Sequence, residues 1–179
     1  MNNNTFVHKY LKSLINKEDI CVDMTCGNGN DTLFLANLAK ETYAFDISSE
    51  AICNTAKRLK DHDDVIIIQD SHVNVDKYLK TEAKVFIFNL GYLPYGKEES
   101  LTKGQDTLVA FKKAYDLLKA DGYIAITFYL GQKGGKEEYY LLDSYIKENR
   151  LQVLETYHQY KINSPISYII KKTQSKHSL

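Results

Sequence analysis

Cysteine is scarce and unpaired in this sequence: Cys21, Cys26 and Cys53 are an odd three among 179 residues, with no C-x-x-C pair. That argues against a disulfide framework and against a structural zinc site, so no metal is expected. Cys21 and Cys53 are expected as small core residues. No apolar run nears the roughly 20 residues that a membrane span needs, and the opening "MNNNTFVHKYLK" lacks the apolar core of a signal peptide. The expected compartment is the cytoplasm. An excess of one charge is also missing, since 23 Lys plus Arg balance 23 Asp plus Glu. This counts against wholesale nucleic-acid coating but leaves room for a basic rim around a cleft. Tryptophan is absent, whereas tyrosine numbers 14; most tyrosines are expected at amphipathic surface or core positions. No Pro- or Ser-rich linker, internal repeat or low-complexity tract divides the chain. One domain over residues 1–179 is therefore expected.

What is present is an alternation of strands and helices. "TFVHKYLKSLI" carries Phe6, Tyr10 and Leu14 at helical spacing. "DICVDM" reads as a strand, "DTLFLANLAK" as a helix, "TYAFDIS" as a strand and "SEAICNTAKRLKDH" as a helix capped by Ser48 or Ser49. "DVIIIQD" is an apolar strand before a short helix in "VNVDKYL", and "AKVFIFNL" is another strand. A helix within 101–119, a strand in "DGYIAITFYL" and a helix in "EEYYLLDSYIKENR" continue the pattern. "LQVLETYHQYK" and "PISYIIKKT" end it as two strands with no helix between them. Near-continuous apolar strands joined by helices predict an α/β fold, a mostly parallel sheet covered on both faces. The last two strands predict an antiparallel pair at one edge.

The first strand runs into a glycine turn, "CVDMTCGNGNDT". Gly27 and Gly29 permit a sharp turn and a close main-chain approach to a ligand. The third glycine of a dinucleotide fingerprint is missing, and Asp31 puts a carboxylate where a pyrophosphate needs positive potential. An acidic helix entrance suits a cationic or hydroxylated ligand better. Asp46 ends the second strand, where a carboxylate can take both hydroxyls of a ribose, and Asp70 ends the third, where it can accept from an adenine amino group. Singly each reads as a turn or cap aspartate. Together, on one edge of an open α/β sheet, they read as a ligand site.

"DMTCGNG" resembles the first motif of class I S-adenosylmethionine-dependent methyltransferases, D/E-x-G-x-G-x-G, with Thr25 at the first glycine position. More narrowly, "TCGNGxDT", "FNLGYLP" and "GGKEE" resemble the bacterial tRNA 5-(aminomethyl)-2-thiouridine methyltransferase family, formerly labelled putative rRNA methylase. The resemblance covers nearly the whole chain. It implies a Rossmann-like, seven-stranded sheet with a terminal antiparallel pair, S-adenosylmethionine as cofactor, and the tRNA anticodon loop as substrate; with the catalytic fold taking up almost all of the sequence, no appended RNA-binding domain is expected. It puts the cofactor's methionine and ribose near Asp23, Gly27, Asn28, Gly29, Asn30 and Asp46, with Ser48 close to the adenosine. Asp70, Ser71 and His72 line the adenine side. Members of the family often carry Gly-His after the fifth strand, where this chain has "YLGQKGGKEE", with Gln132. The oligomeric state, monomer or homodimer, is left open.

"NLGY", Asn89 to Tyr92, keeps the ends of the N/D-P-P-Y/F/W motif of amino methyltransferases and replaces its prolines by Leu90 and Gly91. An amine attacking a sulfonium methyl needs acceptors on its N–H bonds so that its lone pair faces the methyl. Asn89 offers such an acceptor, and Tyr92 offers a ring for a base. Asp31 and Asp70 could each accept a proton or simply hold cofactor, so no general base is assigned. Substrate contacts are expected from "YGKEESLTKGQ" and "GQKGGKEE", with Tyr95 for stacking and Lys97, Lys103, Lys133 and Lys136 for phosphates.

Overall fold

The computed structural model describes residues 1–91 and 104–173. Tyr92, Tyr95, Lys97 and Lys103 lie outside the described residues. Seven strands, β1 (Ile20–Asp23), β2 (Glu41–Asp46), β3 (Val65–Gln69), β4 (Ala83–Asn89), β5 (Leu118–Phe128), β6 (Gln152–His158) and β7 (Ile166–Lys171), form one sheet in the order β3-β2-β1-β4-β5-β7-β6. The first five pair in parallel, and β7 runs antiparallel to both β5 and β6. This is the expected α/β sheet with its terminal antiparallel pair.

Helices α1 (Asn3–Leu11), α2 (Asn30–Ala36), α3 (Ser49–Arg58), α4 (Val75–Tyr78), α5 (Gly104–Asp116) and α6 (Gly135–Glu148) flank the sheet. Two apolar cores result, one on each face. Phe86, Phe88, Ile124 and Ile126 join Phe111 of α5 and Leu142 of α6 on one side. Val85, Ile87 and Ala125 join Val7 and Leu11 of α1 and Leu35 of α2 on the other. Alternate residues of one strand thus feed opposite cores, which is why β4 reads as an unbroken apolar run.

The apolar run of β3 behaves differently. It is an edge strand, and Ile66 is exposed, because only one neighbour strand covers it. A second expectation needs correcting. Cys21 is buried, but Cys53 is exposed. Helix α3 turns Ala51 and Thr55 inward, and a residue two positions from each lies on the opposite side of the helix.

Strand order decides where a ligand can sit. From β1 the chain moves outward through β2 and β3, then returns to place β4 on the other side of β1. The crevice at this switch opens at the carboxyl ends of the strands. Asp23 and Asp46 end β1 and β2, Asp70 follows β3, and Asn89 ends β4, so four polar tips stand in one row.

Candidate active site

The turn after β1 is built on Asp46. One oxygen of its carboxylate accepts from Gly27 N–H (3.0 Å) and the other from Ser48 N–H (3.0 Å). Two backbone donors therefore hold the acid in place at the sheet edge, half-exposed, with lone pairs left for a diol. Ile47, next to it, is 48% exposed although large and apolar. A fixed acceptor beside an exposed apolar side chain fits a ribose and its base, and it is here that the structure suits S-adenosylmethionine.

Other expected cofactor residues mainly shape this cradle. Gly29 adopts φ +77° and starts α2, and a Cβ there would come within 3.1 Å of the Thr55 backbone in α3. Helix packing alone is enough to require a glycine there. Asn28 turns its side chain to Asn54 (3.0 Å) and its carbonyl to Arg58 (2.7 Å), both on α3. Asn30 is exposed at the helix start. Ser48 caps α3 through Ala51 N–H (3.3 Å). Asp23 is fully buried, accepting from the Thr32 hydroxyl (2.7 Å) and Thr25 N–H (3.1 Å). Burial, and then the charge of Asp31, push its carboxyl well above the usual range.

On the side expected for the adenine, Asp70 accepts from Ser71 N–H (2.7 Å), the Asn74 amide (2.9 Å) and the Tyr78 hydroxyl (2.8 Å). These donors, led by Asn74, hold its carboxyl below the usual range. Ser71 caps the 3-10 turn His72–Asn74. His72 is buried and donates from Nδ1 to the Met24 carbonyl (3.1 Å), and burial lowers its pKa, which keeps it neutral at neutral pH.

The densest polar cluster surrounds Asn89. Its backbone N–H donates to the Thr25 hydroxyl (2.7 Å), tying β4 to the glycine turn. Its side-chain Nδ2 donates to Asp31 Oδ2 (3.0 Å) and to Asn4 Oδ1 (3.2 Å). The second Asp31 oxygen meets His8 Nε2 at 2.6 Å. Beyond β5, the ring of Tyr129 lies 3.3 Å from where a Cβ of Gly91 would stand, with the Gln132 amide at 3.5 Å. Burial raises the Tyr129 phenol, with Asp31 adding to it.

Among the described residues, Asn89 Oδ1 is buried with no hydrogen-bond partner. The amide cannot flip to relieve it, because that would turn oxygen toward the Asp31 carboxylate. A buried acceptor costs roughly 1–3 kcal/mol when unpaired. Folded proteins leave few such atoms unpaired, so this one at the tip of β4 calls for an explanation.

Sequence reasoning named Asn89 and Asp31 but missed Asn4, His8 and Tyr129. Asn4 and His8 stand four apart on one face of α1, a polar spacing as legible as the apolar one beside it. Lys133, on the segment leading into α6, and Lys136, in the first turn of α6, are exposed.

Residues 42–171 match the family described as "Putative rRNA methylase". A protein of Clostridium thermocellum described as a "putative rRNA-methylase" is 37% identical, with a TM-score of 0.87 over 96% of this chain and 98% of that one. A Streptococcus mutans "putative methyltransferase", solved in complex with SAH, is 32% identical, with a TM-score of 0.85 over 96% and 98% of the two chains. The Arabidopsis thaliana protein "tRNA (mnm(5)s(2)U34)-methyltransferase, chloroplastic" is 33% identical over 154 residues. That match takes in 77% of this chain and 56% of the relative's length. The chain belongs to the methylase family matched over residues 42–171 and has the class I S-adenosylmethionine-dependent methyltransferase fold.

Proposed function

We propose that the chain is an S-adenosylmethionine-dependent N-methyltransferase acting on the aminomethyl group of 5-aminomethyl-2-thiouridine at the tRNA wobble position, giving 5-methylaminomethyl-2-thiouridine. The observation that carries the amine is the unpartnered Asn89 Oδ1 at the tip of β4. An amine N–H donated to that oxygen leaves the nitrogen's lone pair free to turn toward the cofactor. When bound, S-adenosylmethionine supplies a sulfonium methyl open to in-line attack. Asp46 and the Gly27–Asn30 turn hold its ribose and methionine ends, and Asp70 lies toward its base.

The surroundings favour a basic substrate group. Asp31 adjoins the Asn89 amide, and Asp23 lies behind it. A carboxylate at this position attracts an ammonium and repels an anion. Tyr129 offers an aromatic face beside the strand tip, and Tyr92 is proposed as a stacking ring for the base. Lys133, before α6, and Lys136, in its first turn, are proposed phosphate contacts.

The nucleoside itself rests on the name of the Arabidopsis relative and on the shared "TCGNGxDT" and "NLGYLP" motifs. A second reading, methylation of a ribosomal RNA amine, is favoured by the description of the matched family. Labelled S-adenosylmethionine offered to tRNA with and without the wobble aminomethyl group separates the two. Label in the aminomethylated pool alone is expected; label in ribosomal RNA alone would refute the wobble reading.

A further inference from the structure

We propose that the turn between β6 and β7, residues 159–165, seats the RNA strand beside the nucleotide whose amine reaches Asn89. Lys161 there meets a phosphate and Tyr160 stacks on a base; the inference rests on the tRNA reading above.

Asp31 beside Asn89 suits an ammonium and repels a phosphate, so affinity for RNA must come from another surface. The balanced overall charge hides where that surface lies. Residues 1–17 and 156–179 contain seven lysines and no Asp or Glu. The 138 residues between them hold all 23 acids against 16 Lys plus Arg. A chain of zero net charge thus divides into a part at +7 and a part at −7. Such asymmetry suits a protein that meets a polyanion on one side.

The fold brings the two basic stretches together. Phe6 of α1 stacks on Tyr157 of β6 with centroids 4.8 Å apart, and the Gln159 amide donates to the Met1 carbonyl (3.1 Å). Asn2, Thr5, Lys9 and Lys12 are exposed along α1 and its ends. Lys84, Lys113, Lys119 and Lys147 are each paired with an aspartate. Among the described residues, Lys9, Lys12 and Lys161 are in no such pair. Lys171 lies opposite Gln152 at the far edge of the sheet, whereas Lys161 follows the tip of β6.

Strand register puts the turn on the edge that carries the candidate site. Asn89 pairs with Thr127, Phe128 with Ile166, and Ile166 with His158. The tips of β4 and β6 are therefore three strand spacings apart, about 14 Å. A Cβ at Gly131 would stand 3.5 Å from the Asn163 carbonyl, so the turn also adjoins the segment after β5 that carries Tyr129 and Lys133. Nucleotides flanking one held at Asn89 can reach it.

The side chains there are the ones a single strand uses. Tyr160 is 98% exposed and Ile162 95%, two large apolar side chains within three residues. The Tyr160 ring meets His158 edge-on, with centroids 4.9 Å apart. A turn that only reversed the chain would gain nothing from exposing them. A base offers the Tyr160 ring a stacking partner, and a phosphate answers the Lys161 charge.

Because both side chains are exposed, their variants should fold. With SAH-loaded protein and fluorescently labelled aminomethylated tRNA, Tyr160→Ala is expected to weaken binding about tenfold, and Tyr160→Phe to retain it. Lys161→Gln is expected to reduce the slope of log K against log salt by about 0.7, one phosphate contact on a single strand. Lys57→Gln, the same charge change on α3, should leave affinity and slope at wild-type values. SAH affinity should be the same in all of them. Wild-type affinity in Tyr160→Ala together with a wild-type slope in Lys161→Gln overturns the inference, as does equal weakening by Lys57→Gln. A changed oligomeric state in Tyr160→Ala with tRNA affinity intact also overturns it, since the turn would then join copies of the chain. In each case the tRNA reading stands if the wild-type protein still methylates aminomethylated tRNA. A wild-type protein that methylates ribosomal RNA alone, or no RNA, overturns the tRNA reading and this inference together.

Discussion

At the scale of single residues, the roles proposed for Asp46 and Asn89 divide between cofactor binding and turnover. Asp46 anchors both the glycine turn and the start of α3 through backbone donors. Asp46→Ala is expected to weaken cofactor binding by at least about tenfold, the loss of a charge-assisted contact of ~1.5–3 kcal/mol. Asn89→Ala is expected to leave cofactor affinity intact and to lower turnover about a hundredfold, since the amine loses its orientation. Calorimetry with S-adenosylhomocysteine and single-turnover methyl transfer read the two effects apart, and unchanged turnover in Asn89→Ala would remove the role assigned to the tip of β4.

Glu138 is a buried acid on the face away from the polar cluster. It accepts from the Thr107 hydroxyl at 2.6 Å, and burial raises its carboxyl to about 7. Below the ordinary carboxylate range both folded and unfolded chains hold this proton. Between there and about pH 7 only the unfolded chain releases it, so this group's contribution to stability falls as pH rises and levels off above that value. A shift of this size corresponds to roughly 3 kcal/mol. The difference between Glu138→Gln and wild type in urea unfolding should therefore move in favour of the variant by about 1–3 kcal/mol from pH 4.5 to pH 8. A difference that does not change with pH would contradict the burial cause.

At the scale of elements, the passage from β1 into α2 is the most constrained. Gly29 combines φ +77° with α3 packed against its Cα. Gly29→Ala meets both the positive-φ penalty and a backbone neighbour that cannot swing away, so it should cost about 1–3 kcal/mol. Because the turn also carries the Gly27 N–H that holds Asp46, cofactor affinity should fall with stability. Stability loss without affinity loss would separate the helix packing from the cradle.

At the scale of the whole molecule, α1 is a strap that links the terminal strand pair to the site. Buried Asn3 donates to Ser167 Oγ (2.8 Å) and to the carbonyls of Pro165 (3.3 Å) and Tyr157 (3.4 Å), and Ser167 in turn meets Thr127 of β5 (2.7 Å). One residue further on, the same helix brings Asn4 to Asn89, with His8 beside Asp31. Asn3→Ala is expected to cost roughly 1–3 kcal/mol by orphaning buried acceptors. Turnover should fall more than cofactor affinity, because the strap reaches Asn89, the proposed amine contact, and not Asp46. Thermal melting and the kcat-to-affinity comparison check both halves.

The sequence by itself determined the alternation of elements, the terminal strand pair and the polar tips of β1, β2 and β4. Apolar runs, glycine turns and strand-end acids act within a few residues of chain, so they are legible there. It also named Asn89 and Asp31, because each sits at the end of an element. Only the tertiary structure decided what those tips face. Asn28 and Gly29 meet α3, Cys53 lies outside, and Asp70 accepts from its own neighbours Asn74 and Tyr78. Asn4 and Asn89 lie 85 positions apart and meet only because α1 packs across the carboxyl edge of the sheet. Periodicity shows that a helix has a polar face but not which strand tip that face will cover. Helix packing made that choice, and with it brought together His8, Asp31 and Asn89.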